Sequence, residues 1–118
     1  HYIHAKDVAD GMLFLLQNQD KISNLSNDYG GAKCPKFNLV GPVEWDNLML
    51  AQKIAMSQNK ELKYKMVDFH SSRPGHDLRY ALDGTLMKEL GWEPKVSIDE
   101  RISQVVNWTL NNERWLKL

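Results

Sequence analysis

The chain has 118 residues, 42% of them hydrophobic and 25% charged, which suits one modest globular domain with one core and argues against disorder. Lysine plus arginine equals aspartate plus glutamate, 15 against 15, so no bulk charge marks nucleic acid or an acidic membrane as a partner.

In chain order, the pattern predicts a first helix from about Ala5 to Gln19. Val8, Met12, Leu15 and Leu16 recur at helical spacing on one face, and Ile3 can belong to a short strand before it. The stretch from Ser23 to Lys36 holds Asn24, Asn27, Asp28, Gly30, Gly31 and Pro35, which is turn chemistry and predicts a surface excursion. Lys36 to Val40 is a strand candidate that Gly41-Pro42 ends. A second helix is expected from about Asp46 to Gln58, with Asp46 as N-cap and Leu48, Ala51, Ile54 and Ala55 as its buried stripe. Leu62 to Val67 alternates apolar and lysine positions, the period of a half-buried strand. Asp68 to Asp77 is polar, contains Pro74-Gly75, and reads as a loop.

Asp83 can cap a short helix through Leu86, Met87 and Leu90. Gly91 stands where a left-handed C-terminal residue belongs, and Pro94 blocks further helix. Ser97-Ile98-Asp99-Glu100 has the capping-box pattern and opens the last helix, with Ile98, Ile102, Val105 and Thr109 along one face and Trp108 and Trp115 flanking it. The expected fold class is α/β: a small lobe of helices with two or three short strands.

Cys34 is the single cysteine, so an intrachain disulfide or a cysteine-rich zinc site is excluded. Its setting between Lys33 and Pro35 shows no partner base, and an inert loop or core cysteine is the simpler reading. The apolar run from Gly11 to Leu16 is far short of the ~20 residues a membrane helix needs, and no basic region precedes it as in a signal peptide. A cytoplasmic location is therefore expected. The sequons at Asn24 and Asn107 read as chance matches. His1, His4, His70 and His76 form no metal-ligand spacing, so no metal is expected. The opening His1-Tyr2-Ile3-His4 reads like the middle of a protein.

The densest polar cluster is Arg73-Pro74-Gly75-His76-Asp77-Leu78-Arg79-Tyr80. Proline stiffens this backbone and glycine permits a sharp turn. Arginine is suited to forked contact with phosphate, and a histidine and a phenol add donors. The segment could grip a diphosphate. On residue types alone it could equally be ordinary surface, with Arg79 paired to Asp77 or Asp83.

Arg73-Pro74-Gly75-His76-Asp77, Arg79-Tyr80-Ala81-Leu82-Asp83 and Glu89-Leu90-Gly91-Trp92-Glu93-Pro94 closely resemble the C-terminal region of the dTDP-glucose 4,6-dehydratase family, which are extended short-chain dehydrogenases/reductases. Phe37-Asn38-Leu39-Val40-Gly41 looks like that family's Tyr-Asn-Ile-Gly strand, and Ile3-His4-Ala5-Lys6-Asp7-Val8-Ala9 its Ile-His-Val-x-Asp-Val-Ala segment. Val105 to Leu110 resembles its terminal helix, so the family's order is kept along nearly the whole chain.

The resemblance implies that residues 1–118 form a nucleotide-sugar-binding C-terminal domain without the Rossmann NAD-binding domain. It implies that Arg73 binds the substrate's diphosphate and that Asn47, opening the second helix, also contacts the nucleotide, where a helix N-terminus suits phosphate. His76 and Tyr80 are further substrate candidates; a loop histidine bonding backbone and a packed tyrosine are their alternatives. Arg79 and Trp92 are assigned to structure. Two features depart from the family pattern. Val40 precedes Gly41 and Pro42 where a second glycine is usual, and Asn24 to Pro35 is long.

The implied chemistry is oxidation of the sugar at C4 by NAD, dehydration or inversion, and return of the hydride, the work of a lyase or isomerase. It needs a glycine-rich strand-to-helix turn and a tyrosine base with a lysine four residues on. No G-x-G-x-x-G occurs. Tyr2 with Lys6 and Tyr29 with Lys33 match the second spacing. The first overlaps a segment matched to a region downstream of the catalytic tyrosine, and the second lies in a glycine turn. No catalytic or cofactor-binding residue is therefore expected in the chain. The expected partners are a dTDP- or UDP-linked sugar, the absent Rossmann domain and, through surface it would cover, a second copy of the chain. The rival reading is a stand-alone, non-catalytic nucleotide-sugar-binding or interaction module. UDP-glucuronate decarboxylases and GDP-mannose dehydratases share the implied architecture.

Overall fold

A computed structural model describes residues 1–28, 35–68, 74–75 and 79–117, with the backbone alone for 26–28. The regular secondary structure among the described residues is helical: α1 spans Ala5–Gln17, α2 Gln19–Asp28, α3 Asn47–Met56, α4 Thr85–Glu89 and α5 Ile98–Leu110, followed by a 3-10 turn at Glu113–Trp115. The chain forms two compact units. Unit 1 combines His1–Glu44 with Leu82–Ile98, and unit 2 combines Trp45–Ala81 with Asp99–Leu118.

In unit 1, His4 caps α1: its Nδ1 accepts from the Lys6 amide at 2.9 Å, and its carbonyl accepts from Asp7 and Val8. Asn18 ends the helix. Its side-chain amide donates to the Phe14 carbonyl at 2.8 Å, and its backbone leaves the helical region. The Ile22 amide then donates to the Asn18 carbonyl and α2 begins. The expected single helix to Gln19 is thus two helices. The expected excursion from Ser23 is helical as far as Asp28, because Ile22 and Leu25, three apart, give α2 an apolar side.

The core of unit 1 is Met87, Trp92 and Ile98. α4 ends in a Schellman turn, with Gly91 at φ +96° and the Trp92 amide donating to the Met87 carbonyl at 2.9 Å. That turn drives Trp92 inward to 4% exposure, and its Nε1 donates to the Asp10 carboxylate at 2.9 Å. Asp10 also meets Lys95 Nζ at 3.3 Å, so one carboxylate ties α1 to the chain beyond α4. Trp92 is a packing residue, as its position beside the turn implies.

The buried line of α1 runs through Asp7 and Gly11, whereas Met12 and Leu16 of the expected face are exposed, with Leu13 beside them. Gly11 explains the rotation. A Cβ there would lie 2.6 Å from Leu39 and 2.9 Å from the Trp92 ring, so the face that packs is the one with no side chain in the way.

In unit 2, Asp46 caps α3 as expected, its Oδ1 accepting from the Met49 amide at 2.7 Å. A second Schellman turn ends the helix at Asn59, φ +52°, with the Lys60 amide donating to the Ala55 carbonyl. Of the expected stripe, Ala55 is buried and Leu48 and Ala51 are half-buried, while Ile54 is exposed. α5 begins directly after Ser97, where the capping-box pattern places it. Its buried line is Ile98, Ile102 and Val106, not Val105, which is exposed. Spacing by four and the seam of four then three are both helical, and the neighbours decide between them. Trp108 and Trp115 are exposed and tilted together at 6.2 Å.

The expected strands require correction. Residues 36–40 and 62–67 carry no strand, nor does any other described residue. Alternation favours a pleated backbone, but a strand exists only where a second backbone supplies the ladder hydrogen bonds. None of the described residues does so for either segment. The expected α/β lobe is, among the described residues, an arrangement of helices.

Candidate functional site

Of the four expected substrate residues, two are described. Asn47 is the first residue of α3, and Tyr80 follows the loop in irregular chain; both belong to unit 2. Arg73 and His76 lie outside the described residues, as does Cys34. Within the loop itself, Pro74 and Gly75 form a turn with Gly75 at φ +78°. A Cβ on Gly75 would meet nothing within 4 Å, so what demands glycine is the backbone angle and not space.

Asn47 owes its position to Asp46. That carboxylate takes the Met49 amide and sits beside the positive end of the helix dipole. The amino end of α3 therefore already holds an anion. A phosphate arriving there would meet like charge, so Asn47 can serve a nucleotide through its side-chain amide and not through bare helix amides. Tyr80 is 68% exposed, so the alternative in which it packs is not what the structure shows. Asn47, Arg79 and Tyr80 each engage a neighbouring group, which a ligand would have to displace or share.

A groove in unit 1 escaped the sequence reading. It has a volume of about 340 Å³ and is walled by Val40, Gly41, Pro42, Met87, Trp92 and Pro94. Lys88 and Glu93 also line it and pair with each other at 3.2 Å, both well exposed. Asn38 and Gly84 complete its described lining, in which apolar groups predominate and the lysine is paired. The only sequence signal for it was Gly41-Pro42, which reads equally well as the end of a strand.

Asp83 Oδ1 accepts from the Thr85 hydroxyl at 2.6 Å and the Thr85 amide at 2.9 Å. These two bonds hold its carboxyl below the usual aspartate value. Its carbonyl accepts from Asn38 at 2.9 Å, which fixes the entry to α4. Asp83 thus orders the backbone just before α4, one residue earlier than the N-cap Gly84.

Among the described residues, no group of three histidine, cysteine, aspartate or glutamate side chains is placed to hold a metal ion. No helix among them is long and apolar enough to cross a membrane.

Comparison with known proteins places the chain. Residues 1–105 match the family model described as GDP-mannose 4,6 dehydratase. A dTDP-glucose 4,6-dehydratase of Xanthomonas campestris pv. campestris is 34% identical over 89 residues, 69% of this chain and 25% of that protein. One from Haemophilus influenzae is 36% identical over 85 residues, 70% of this chain and 25% of that protein. One from Escherichia coli is 42% identical over 52 residues, 43% of this chain and 14% of that protein. The chain thus spans about a quarter of the length of the first two of these relatives. No solved structure gives a significant match. With the family model covering all but the last thirteen residues and the relatives agreeing on 4,6-dehydration, the chain belongs to the GDP-mannose 4,6 dehydratase family of nucleotide-sugar dehydratases.

Proposed function

We propose that the chain is the substrate-binding part of an NAD-dependent nucleotide-sugar dehydratase or epimerase of extended short-chain dehydrogenase/reductase fold, most like dTDP-glucose 4,6-dehydratase. The observation that carries this reading is the family match over residues 1–105, which takes in the whole segment from Arg73 to Tyr80.

In this reading Arg73 offers the sugar nucleotide's diphosphate two parallel charged hydrogen bonds. Asn47 adds a neutral amide from the first turn of α3, held in place by the Asp46 cap. His76 and Tyr80 supply further donors around the same ligand. The exposure of Tyr80 is compatible with that role.

The residues present do not fit NAD. None of the seven glycines stands in the G-x-G-x-x-G spacing. Gly11 is inside α1 packed on Trp92, and Gly41 is pressed against the Tyr2 carbonyl; neither forms a strand-to-helix turn that could cradle a pyrophosphate. No catalytic step is therefore assigned to this chain. NAD, the Rossmann domain and the reacting groups belong to a complete enzyme in this proposal, and its location is cytoplasmic. Residues 36–40 and 62–67 are the segments we assign to pairing with strands of that enzyme. The second reading is a stand-alone, non-catalytic nucleotide-sugar-binding or interaction module.

The family model and the relatives carry different bases and sugars in their names, GDP-mannose and dTDP-glucose. Titration of the chain with dTDP, UDP and GDP, beside an Arg73→Ala variant, tests the reading. Saturable binding of one nucleotide, weakened by about 1–3 kcal/mol in the variant, is the expected result for loss of a charged hydrogen bond. Equal binding by the variant would remove Arg73 from the site.

A further inference from the structure

We draw no further inference here: the strongest candidate, the exposed Trp108–Trp115 pair with the Arg114 guanidinium 5.1 Å from the Trp115 ring at the end of α5, is an unpartnered apolar patch, and nothing in the structure shows what covers it.

Discussion

The two units solve the same problem with different means. Unit 1 brings backbones and rings together by removing side chains: Gly11 admits Leu39 and Trp92, Gly41 lies against the Tyr2 carbonyl, and Gly84 lies against Val40. Unit 2 relies on small aliphatic groups, with Ala55, Ile102 and Val106 buried and its tryptophans outside or half-buried. The described substrate candidates, Asn47 and Tyr80, lie in unit 2. The lesson is a division of labour. Close approach leaves little tolerance for change and suits a scaffold, whereas a site needs side chains that can exchange partners.

The comparison breaks first at Trp92. Replacing it by alanine empties the centre of unit 1, and the expected cost is about 3–5 kcal/mol. The loss should appear in amide exchange at α1 and α4. Equal loss of protection throughout α3 would show that the units do not open separately.

Gly41→Ala is the next test. The added Cβ would collide with the Tyr2 carbonyl oxygen, a backbone atom that cannot swing aside. Overpacking of this kind costs about 3 kcal/mol, at the upper end of its usual range. An unchanged thermal midpoint would mean that unit 1 is not built on close approach.

The two Schellman turns sharpen the contrast. Gly91 is at φ +96° and Asn59 at +52°. Nothing lies within 4 Å of a Cβ on Gly91, so Gly91→Ala should cost only the left-handed strain, about 1–2 kcal/mol. Asn59→Gly should shift stability by only about a few tenths of that, since asparagine already tolerates the region. Urea unfolding of the pair reads both.

The smallest effect concerns Asp83. Its folded carboxyl titrates below the ordinary 3.8 because Thr85 donates to the charged form. The stability this gives is present above the ordinary value and is lost as pH falls through the lowered folded value. Thr85→Val removes the hydroxyl donor, which contributes most, and NMR titration should show the Asp83 carboxyl moving back up.

What could be read in advance follows from how far each signal reaches. Asp46 as a cap and Gly91 as a left-handed terminator depend on a handful of neighbouring backbone atoms, and both are found. Which face of α1 or α5 is buried depends on distant partners. Met12 and Val105 fit the expected faces by spacing and yet are exposed, because Gly11 turns α1 toward Trp92 and Val106 replaces Val105 in the α5 line. Asn18 could have marked the break in α1, since asparagine competes for helix carbonyls, as its bond to Phe14 does here. The strands expected at 36–40 and 62–67 are not found, because alternation is a local signal whereas a ladder needs a second backbone that none of the described residues supplies. For the site, the family resemblance pointed to Asn47, and the residue types of the cluster ending at Tyr80 suggested the phenol as a donor. That Asp46 fills the anion position beside Asn47 is visible only once the cap is seen in place.

Trp92 has one more consequence, for light. The chain has four tryptophans. Trp92 is buried with its indole N–H on Asp10, Trp45 is half-buried, and Trp108 and Trp115 face solvent. An indole withdrawn from water emits at shorter wavelength and is shielded from dissolved quenchers. Acrylamide should therefore silence the outer pair first and leave a blue-shifted signal from Trp92 with a smaller share from Trp45, so that in a Trp45→Phe variant the shielded emission becomes an intrinsic optical gauge of unit 1.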